Sequence, residues 1–170
     1  EQSTYIVLMP HKNPDPDALG SVLALYEYIK ALNKTVYMYC ASEVPQTLSF
    51  LPHFDQILNK FPDKDIDLII NLDSGDIEYA GLLETLEQNN INPTIINIDH
   101  HPTNTHFGNI NLVQPKASST AEILYYFFQS LEIPVTDTMA TNLLAGIISD
   151  TMNFTNKATS YPALSVTSEL

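Results

Sequence analysis

Four short segments of this chain are rich in aspartate and histidine, whose oxygen and nitrogen atoms hold divalent metal ions in proteins. The segments are residues 11–21, 71–76, 99–101 and 149–151. Three of them follow a predicted strand, and parallel strands converge on one crevice at their carboxyl ends. Carboxylates and imidazoles gathered in this way are what a two-metal hydrolytic site requires. The candidate metal ligands are His11, Asp15, Asp17, Asp73, His100 and Asp150.

The first segment places His11, Asp15 and Asp17 between a short apolar run and a predicted helix. Intervening prolines stiffen this turn and bias it towards extended geometry, so that the carboxylates can be held pointing into a crevice. Asp17 has an alternative role as the N-cap of the helix. Capping explains one aspartate and leaves His11 and Asp15 unexplained.

The second segment places Asp73 directly after the apolar run Leu68–Leu72 and before an expected turn. A carboxylate at this strand end, beside the first strand of a doubly wound sheet, is well placed to bridge two cations. We assign Asp76 to capping. An isolated Asp73 would be read as an ordinary turn residue, so its functional reading depends on the other segments.

The last two segments add imidazoles and one more carboxylate. In Asp99-His100-His101, successive side chains leave the strand in different directions, so one ring can bind metal while its neighbour faces substrate and Asp99 orients a ring. Asp150 ends an apolar helical pattern, where an anion is unfavourable against the helix dipole unless a cation is near.

Short apolar runs alternate with helical patterns along the chain, which predicts an α/β fold. The order of elements indicates a doubly wound, mostly parallel sheet with helices on both faces. A short helix is expected within Pro45–Leu51 and a further extended piece at Ile110–Val113. The predicted strands are Tyr5–Met9, Thr35–Cys40, Leu68–Leu72 and Thr94–Ile98, and the predicted helices are Ala18–Leu32, Glu78–Asn89, Ser119–Leu131 and Thr138–Ser149.

The composition limits the kinds of partner. The chain has 170 residues, about one domain, and a formal net charge of −13, and its seven basic residues are all lysine. Because the chain is so acidic, its overall electrostatic field repels polyanions. A phosphate substrate must therefore be attracted by bound cations or by a partner domain. Without arginine the chain also lacks a bidentate phosphate clamp of its own, and we expect metal binding with poor turnover.

Cellular context and domain limits follow from simpler features. The single Cys40 excludes an internal disulfide, and the apolar run Tyr5–Met9 is too short for a membrane span. A soluble, cytoplasmic protein is expected. The chain starts with Glu1 and stops inside a helix opened by Pro162, so we expect a fragment. We expect one domain over residues 1–155, with residues 156–170 beginning a linker or helix.

These motifs together resemble those of the DHH phosphoesterase superfamily, which is named for the triplet found here at Asp99, His100 and His101. The resemblance covers nearly all 170 residues and uses four ordered motifs. It implies that residues 1–155 form the catalytic DHH domain and that residues 156–170 lead towards a C-terminal substrate-binding domain. It also implies that Asp73 bridges two ions and that His101 contacts the scissile phosphate. By this resemblance one ion is held by His11, Asp15 and Asp73, and the other by Asp17, Asp73, His100 and Asp150.

Further similarity lies in residues 101–104, 107–108, 111–113 and 117–122. It points to the branch that contains nanoRNases with pAp phosphatase activity and the related cyclic-dinucleotide phosphodiesterases. Two positions depart from the usual pattern, since Pro16 and Met152 stand where glycine is common. Ser118 is an alternative cap for the helix that follows it. We expect His101, Asp73 and Asp99 to be catalytic, and Ser21, His101, Asn104, Ser119 and Thr120 to contact substrate.

The resemblance and the ligand types together predict a metal-dependent phosphoesterase that uses a hydroxide activated by two divalent ions. Mixed imidazole and carboxylate ligands suit Mn²⁺ well, and Zn²⁺, Co²⁺ and Fe²⁺ are the alternatives, whereas Mg²⁺ prefers fewer nitrogen ligands. The expected substrates are short oligonucleotides, pAp or cyclic-dinucleotide products, and a homodimer is a possible assembly. Two alternatives stay open: an inorganic pyrophosphatase, which shares this metal constellation, and a regulatory nucleotide-binding module without catalysis.

Overall fold

The computed structural model describes residues 3–170, so the first two residues of the expected 1–155 domain lie outside it. Its centre is a six-stranded sheet in the order β3-β2-β1-β4-β5-β6, in which every pairing is parallel. The α/β prediction is therefore confirmed. The strands are β1 Tyr5–Met9, β2 Thr35–Tyr39, β3 Ile57–Leu58, β4 Leu68–Leu72, β5 Thr94–Asp99 and β6 Ile110–Val113.

The strands are apolar on both faces because both faces of the sheet are covered. Side chains alternate along a strand, so Ile6 and Leu8 of β1 join one hydrophobic core, while Val7 and Met9 join the other. Strands buried on two sides read as continuous apolar runs, which is typical of parallel sheets. This burial explains why the strands were recognisable from sequence.

Five α-helices are present in the described part of the chain. Helices α1, α3, α4 and α5 contribute to the core with Ile6 and Leu8, and α2 contributes to the core with Val7 and Met9. The prediction of helices on both faces is confirmed. Their bounds are α1 Pro16–Ala31, α2 Leu82–Asn89, α3 Thr120–Ser130, α4 Asp137–Asp150 and α5 Tyr161–Glu169.

The predicted start of α2 at Glu78 is wrong. Residues 76–81 form a turn in which the Asp76 carboxylate accepts a hydrogen bond from the Tyr79 N–H at 2.7 Å. Gly81 then adopts a left-handed conformation, with φ of +69°, and the helix begins at Leu82. The capping role assigned to Asp76 is therefore confirmed, but it caps this turn. The helix expected within Pro45–Leu51 shortens to one 3₁₀ turn over Gln46–Leu48.

The reversal of strand order places the first three ligand segments together. The chain runs from β1 to β2 and β3 on one side, then returns to add β4, β5 and β6 on the other side of β1. The carboxyl ends of β1 and β4 therefore flank the topological switch point, where open α/β sheets bind ligands. β5 lies directly beside β4, so residues 99–101 reach the same edge.

The segment after residue 155 packs on the rest of the fold. Ala163 and Val166 of α5 are buried in the same core as α3 and α4, and the Tyr125 hydroxyl donates a hydrogen bond to the Glu169 carboxylate at 2.6 Å. The domain boundary at residue 155 stays a prediction. Within residues 3–170, no helix combines the length and apolar character needed to cross a bilayer.

Candidate metal centre

The turn after β1 shows which aspartate caps α1. Oδ1 of Asp15 accepts hydrogen bonds from the backbone N–H groups of Asp17 and Ala18, both at 3.0 Å, and Asp15 is the N-cap residue. The alternative that Asp17 is the cap is therefore wrong. Pro16 takes the first helical position, where the missing N–H costs nothing. The departure to proline at residue 16 thus fits the helix start.

A first group of ligand atoms consists of His11, Asp15 and Asp73, whose atoms lie within 4.8 Å of one another. Nε2 of His11 is 3.9 Å from Asp15 Oδ2 and 3.7 Å from Asp73 Oδ2. Nδ1 of His11 lies 2.8 Å from the Lys12 carbonyl oxygen. Because a carbonyl only accepts, Nδ1 carries the proton and Nε2 presents its lone pair to the group.

A second group consists of Asp17, His100 and Asp150, again within 4.8 Å. Nε2 of His100 is 3.1 Å from Asp150 Oδ2 and 4.0 Å from Asp17 Oδ2. Its Nδ1 faces the Ala117 carbonyl oxygen at 3.4 Å. The buried Nε2 lies among carboxylate oxygens, the nearest that of Asp150, without a hydrogen bond of acceptable geometry. A buried polar atom of this kind calls for an explanation, and a bound cation supplies one.

Asp73 lies between the two groups and faces both. Its Oδ2 is on the His11 side, while its Oδ1 is 3.5 Å from His100 Nε2. Its backbone is left-handed, with φ of +62°, a conformation that is uncommon outside glycine and is found at functional sites. The Asp73 N–H is fixed by the Ile98 carbonyl at 2.9 Å. The carboxylate is thus placed where one side chain can contact two ions.

The two groups of ligand atoms together form one cluster, and its charges fit cation binding. Burial, followed by repulsion from Asp150, raises the pKa of Asp17 to about 7. Burial and the neighbouring Asp17, Asp15 and Asp150 carboxylates raise the pKa of Asp73 well above its ordinary value. Although burial lowers the pKa of His100, its contact with Asp150 and the nearby Asp17 raise it to about 9. Divalent cations would relieve this crowding of carboxylates, so the donor set fits two such ions.

These shifts predict how the stability of the metal-free chain depends on pH. The pKa values of Asp17 and Asp73 are higher in the folded chain than their ordinary 3.8, so their contribution falls as pH rises above that value. The His100 contribution is complete below its ordinary 6.5 and is lost as pH rises through about 9. The free energy of unfolding should therefore fall with rising pH, which urea titrations at several pH values would measure.

A variant within the cluster tests whether the cluster causes this pH dependence of the free energy of unfolding. Asp150→Asn removes a charge that raises the pKa values of Asp17, Asp73 and His100. It should flatten the decline, while Asp137→Asn, at the opposite end of the same helix, should leave it unchanged. Equal slopes in all three proteins would show that other groups control the pH dependence.

Asp99 and His101 form a pair at the rim of the cluster. His101 Nδ1 lies 2.7 Å from Asp99 Oδ1, and the Asn104 amide donates to Asp99 Oδ2 at 2.6 Å. Although burial opposes it, these two hydrogen bonds hold the pKa of Asp99 below its ordinary value, and the bond to Asp99 raises the pKa of His101. An ionised Asp99 fixes the proton on Nδ1 of His101. The His101 side chain is 42% exposed, so its ring is accessible from the cleft.

The five residues that are expected to contact substrate differ in their exposure to solvent. Ser21, Ser119 and Thr120 are completely buried. The Ser119 hydroxyl caps α3 by accepting from the Glu122 N–H, so Ser118 is not the cap. Asn104 is half-buried and its amide serves Asp99. Burial argues against direct contact by Ser21, Ser119 and Thr120, and all five contacts, including His101, stay predictions.

Sequence reasoning missed Tyr79. Its ring stacks on His11 with centroids 4.7 Å apart and planes 25° from parallel. It is half-exposed, at 48%, and its carbonyl accepts from the Lys12 N–H. The ring therefore forms a wall of the cleft beside the first ligand group. Its only sequence signal is an aromatic residue in the turn after Asp73.

The end of α4 explains the second departure from the resemblance. Met152, Asn153 and Phe154 all have positive φ, from 49° to 62°. Glycine tolerates this conformation without steric cost, which accounts for a glycine preference at position 152. The Asn156 side chain donates to the Asp150 carbonyl at 2.7 Å. This hydrogen bond joins the left-handed turn to Asp150, whose carboxylate belongs to the second group of ligand atoms.

Solved structures support the fold. An exopolyphosphatase-related protein from Bacteroides fragilis superposes with a TM-score of 0.88 at 24% identity, covering 99% of this chain and 52% of that one. A protein of Methanococcus jannaschii assigned to the family II inorganic pyrophosphatases gives a TM-score of 0.71 at 20% identity, covering 98% and 54%. At these identities the similarity shows the fold alone.

Sequence relatives are more specific. The chain is 34% identical over 168 residues to the bifunctional oligoribonuclease and PAP phosphatase NrnA of Thermus thermophilus, covering 97% of this chain and 49% of that protein. It is 27% identical over 173 residues to the cyclic-di-AMP phosphodiesterase GdpP of Bacillus subtilis, covering 90% and 26%. The chain thus spans about half the length of NrnA. Residues 5–147 match the DHH family, N-terminal domain, and the chain therefore belongs to the DHH family.

Proposed function

We propose that this chain is the metal-binding catalytic domain of a phosphoesterase that hydrolyses short oligonucleotides or small nucleotides. The observation that carries this proposal is the position of Asp73 between two groups of ligand atoms, one containing His11 and the other His100. Two ions that share a carboxylate are the arrangement used for in-line attack on phosphate esters. The named relatives act on small nucleotides and oligonucleotides.

Different side chains of the cluster would bind each of the two ions. His11, Asp15 and Asp73 would hold one ion, and Asp17, Asp73, His100 and Asp150 the other. When bound, the ions supply an activated water and offset the negative charge of the phosphate. The completely buried Asp17 and the 2% exposed Asp73 form the floor, while the 48% exposed Asp15 side chain and His101 form the rim.

His101 would act on the phosphate itself. Asp99 holds its Nδ1, so Nε2 is the ring atom left for the substrate. The raised pKa of His101 favours the doubly protonated ring, which donates from Nε2 to a phosphate oxygen or passes that proton to the leaving oxygen. Asp99 would serve as a positioning residue that fixes the ring, and Asn104 would fix Asp99.

The remaining parts of the proposal concern the metal and the partners. Mixed nitrogen and oxygen ligands support Mn²⁺ as the resident ion. Substrate binding would be completed by a C-terminal domain, since the chain spans about half of NrnA and contains no arginine. A cytoplasmic location and a homodimer are further parts of this proposal.

A substrate comparison in the presence of Mn²⁺ tests the proposal. Calorimetry should detect Mn²⁺ binding, and Mn²⁺ at about 100 times its Kd should add about 2.7 kcal/mol to the free energy of unfolding for each ion site, which a chelator should reverse. When joined to the proposed C-terminal domain, the Mn²⁺-loaded protein should hydrolyse a dinucleotide, pAp or cyclic di-AMP in preference to pyrophosphate. Preferential cleavage of pyrophosphate would overturn the proposal in favour of a pyrophosphatase, and Mn²⁺ binding without hydrolysis of any substrate would favour a regulatory module.

A further inference from the structure

The segment that opens α3 contacts three ligands that come from three different parts of the fold. The Ala117 carbonyl faces Nδ1 of His100, which follows β5. The backbone N–H groups of Thr120 and Ala121 donate to the two carboxylate oxygens of Asp17 in α1, at 2.7 and 2.9 Å. These contacts join ligands that are more than 80 residues apart in sequence.

Thr120 makes the third contact, and it is made to the bridging carboxylate. Its hydroxyl donates to Oδ1 of Asp73 at 2.8 Å, and the hydroxyl and the carboxylate are both buried. Oδ1 is also the atom that faces His100, while Oδ2 faces His11. The hydroxyl therefore limits rotation of the carboxylate about its terminal bond. Without it, Asp73 could turn both oxygens towards one group.

We propose that Thr120 is a positioning residue that holds Asp73 in the orientation needed to bridge two cations. The inference rests on the proposed function, because it assumes that the two ligand groups bind metal. A hydrogen bond to a ligating carboxylate orients that ligand, and losing such a partner typically reduces metal affinity or activity by about 10- to 100-fold. The complete burial of Thr120 separates this role from direct contact with substrate.

The same geometry explains why Thr120 lies at the first position of α3. Ser119 already caps the helix through its own hydroxyl, so helix formation does not require the hydroxyl of Thr120. That hydroxyl instead donates a hydrogen bond to Asp73, while N–H groups of the first turn donate to Asp17. The beginning of α3 thus sets the separation between a carboxylate from α1 and one that follows β4.

Three variants test the role of the hydroxyl. Thr120→Val removes it with little change in shape, Thr120→Ser keeps it, and Thr85→Val removes a buried hydroxyl that donates to the Gly81 carbonyl on the opposite face of the sheet. Mn²⁺ titration by calorimetry and hydrolysis of pAp would be measured for each. We expect Thr120→Val to lose about 10- to 100-fold in Mn²⁺ affinity for at least one ion, and Thr120→Ser and Thr85→Val to stay near wild type.

Each result has a distinct meaning. Wild-type affinity in Thr120→Val would overturn the positioning role, and so would an equal loss in Thr120→Ser. If Thr120→Val does not fold, Thr120→Ala removes the same hydroxyl without the second methyl group and should show the same loss. Absence of Mn²⁺ binding in the wild-type chain would instead reject the proposed function.

Discussion

Asp73→Asn is expected to reduce hydrolysis by about three orders of magnitude, since a two-metal site contributes several kcal/mol of charge stabilisation and about 1.36 kcal/mol corresponds to tenfold in rate. Asn can still accept the Thr120 hydroxyl, but its amide nitrogen cannot bind a cation. Because burial and neighbouring carboxylates raise the pKa of Asp73, removing its charge should at the same time stabilise the metal-free protein. Kinetic assays with Mn²⁺ and thermal unfolding in chelator would measure the two effects.

Asp76→Asn is the matched control, three residues further along the chain. Its carboxylate accepts one hydrogen bond, from the Tyr79 N–H, which an asparagine oxygen can also accept. Stability should change by no more than about 0.5 kcal/mol, with Mn²⁺ affinity preserved. Equally small effects of Asp73→Asn and Asp76→Asn would show that Asp73 is not the bridge.

Gly146→Ala is expected to disturb both folding and the second ligand group. A Cβ at this position in α4 would lie 2.5 Å from Asp17 Oδ1 and 2.8 Å from Ala121 Cβ. The Asp17 carboxylate cannot yield easily, because Thr120 and Ala121 hold both of its oxygens. Overpacking of this kind costs about 1–3 kcal/mol, which exceeds or offsets the gain of about 1 kcal/mol in helix propensity.

The prediction for Gly146→Ala is a lower unfolding midpoint in urea together with at least tenfold weaker Mn²⁺ binding. Gly75→Ala provides the comparison, since its added Cβ would meet its nearest neighbours at 3.7 Å or more, an ordinary contact distance. That variant should retain stability and metal binding. A Gly146→Ala protein with unchanged Mn²⁺ affinity would show that Asp17 is not a ligand.

The strands and the ligand segments were predictable from sequence because each has a local signature. A strand buried on both faces reads as a short apolar run, as β4 and β5 do. Candidate ligands that follow such runs, such as Asp73 and His100, must lie at the carboxyl edge of the sheet. Local pattern and global topology agree here, so the convergence of the clusters could be inferred before any distance was known.

Features that depend on contacts between distant segments were not predictable. Asp15 and Asp17 are both acceptable caps by residue type, and only the position of α3 shows that Asp17 is directed towards Thr120 and Ala121. The sequence predicts that Ser119 and Thr120 contact substrate, and only the packing of α3 shows that both are completely buried. The start of α2 was misplaced because a capped turn ending in left-handed Gly81 has the same apolar spacing as a helix.

Asp15 satisfies two separate requirements with one side chain. One carboxylate oxygen starts α1, and the other faces the cleft beside His11. Asparagine, serine and threonine also start helices well, yet none of them carries the anionic oxygen that a divalent ion prefers. Substitution of Asp15 by one of these residues can therefore preserve the fold while removing a candidate metal ligand, so we expect Asp15→Asn to fold normally and to bind metal more weakly.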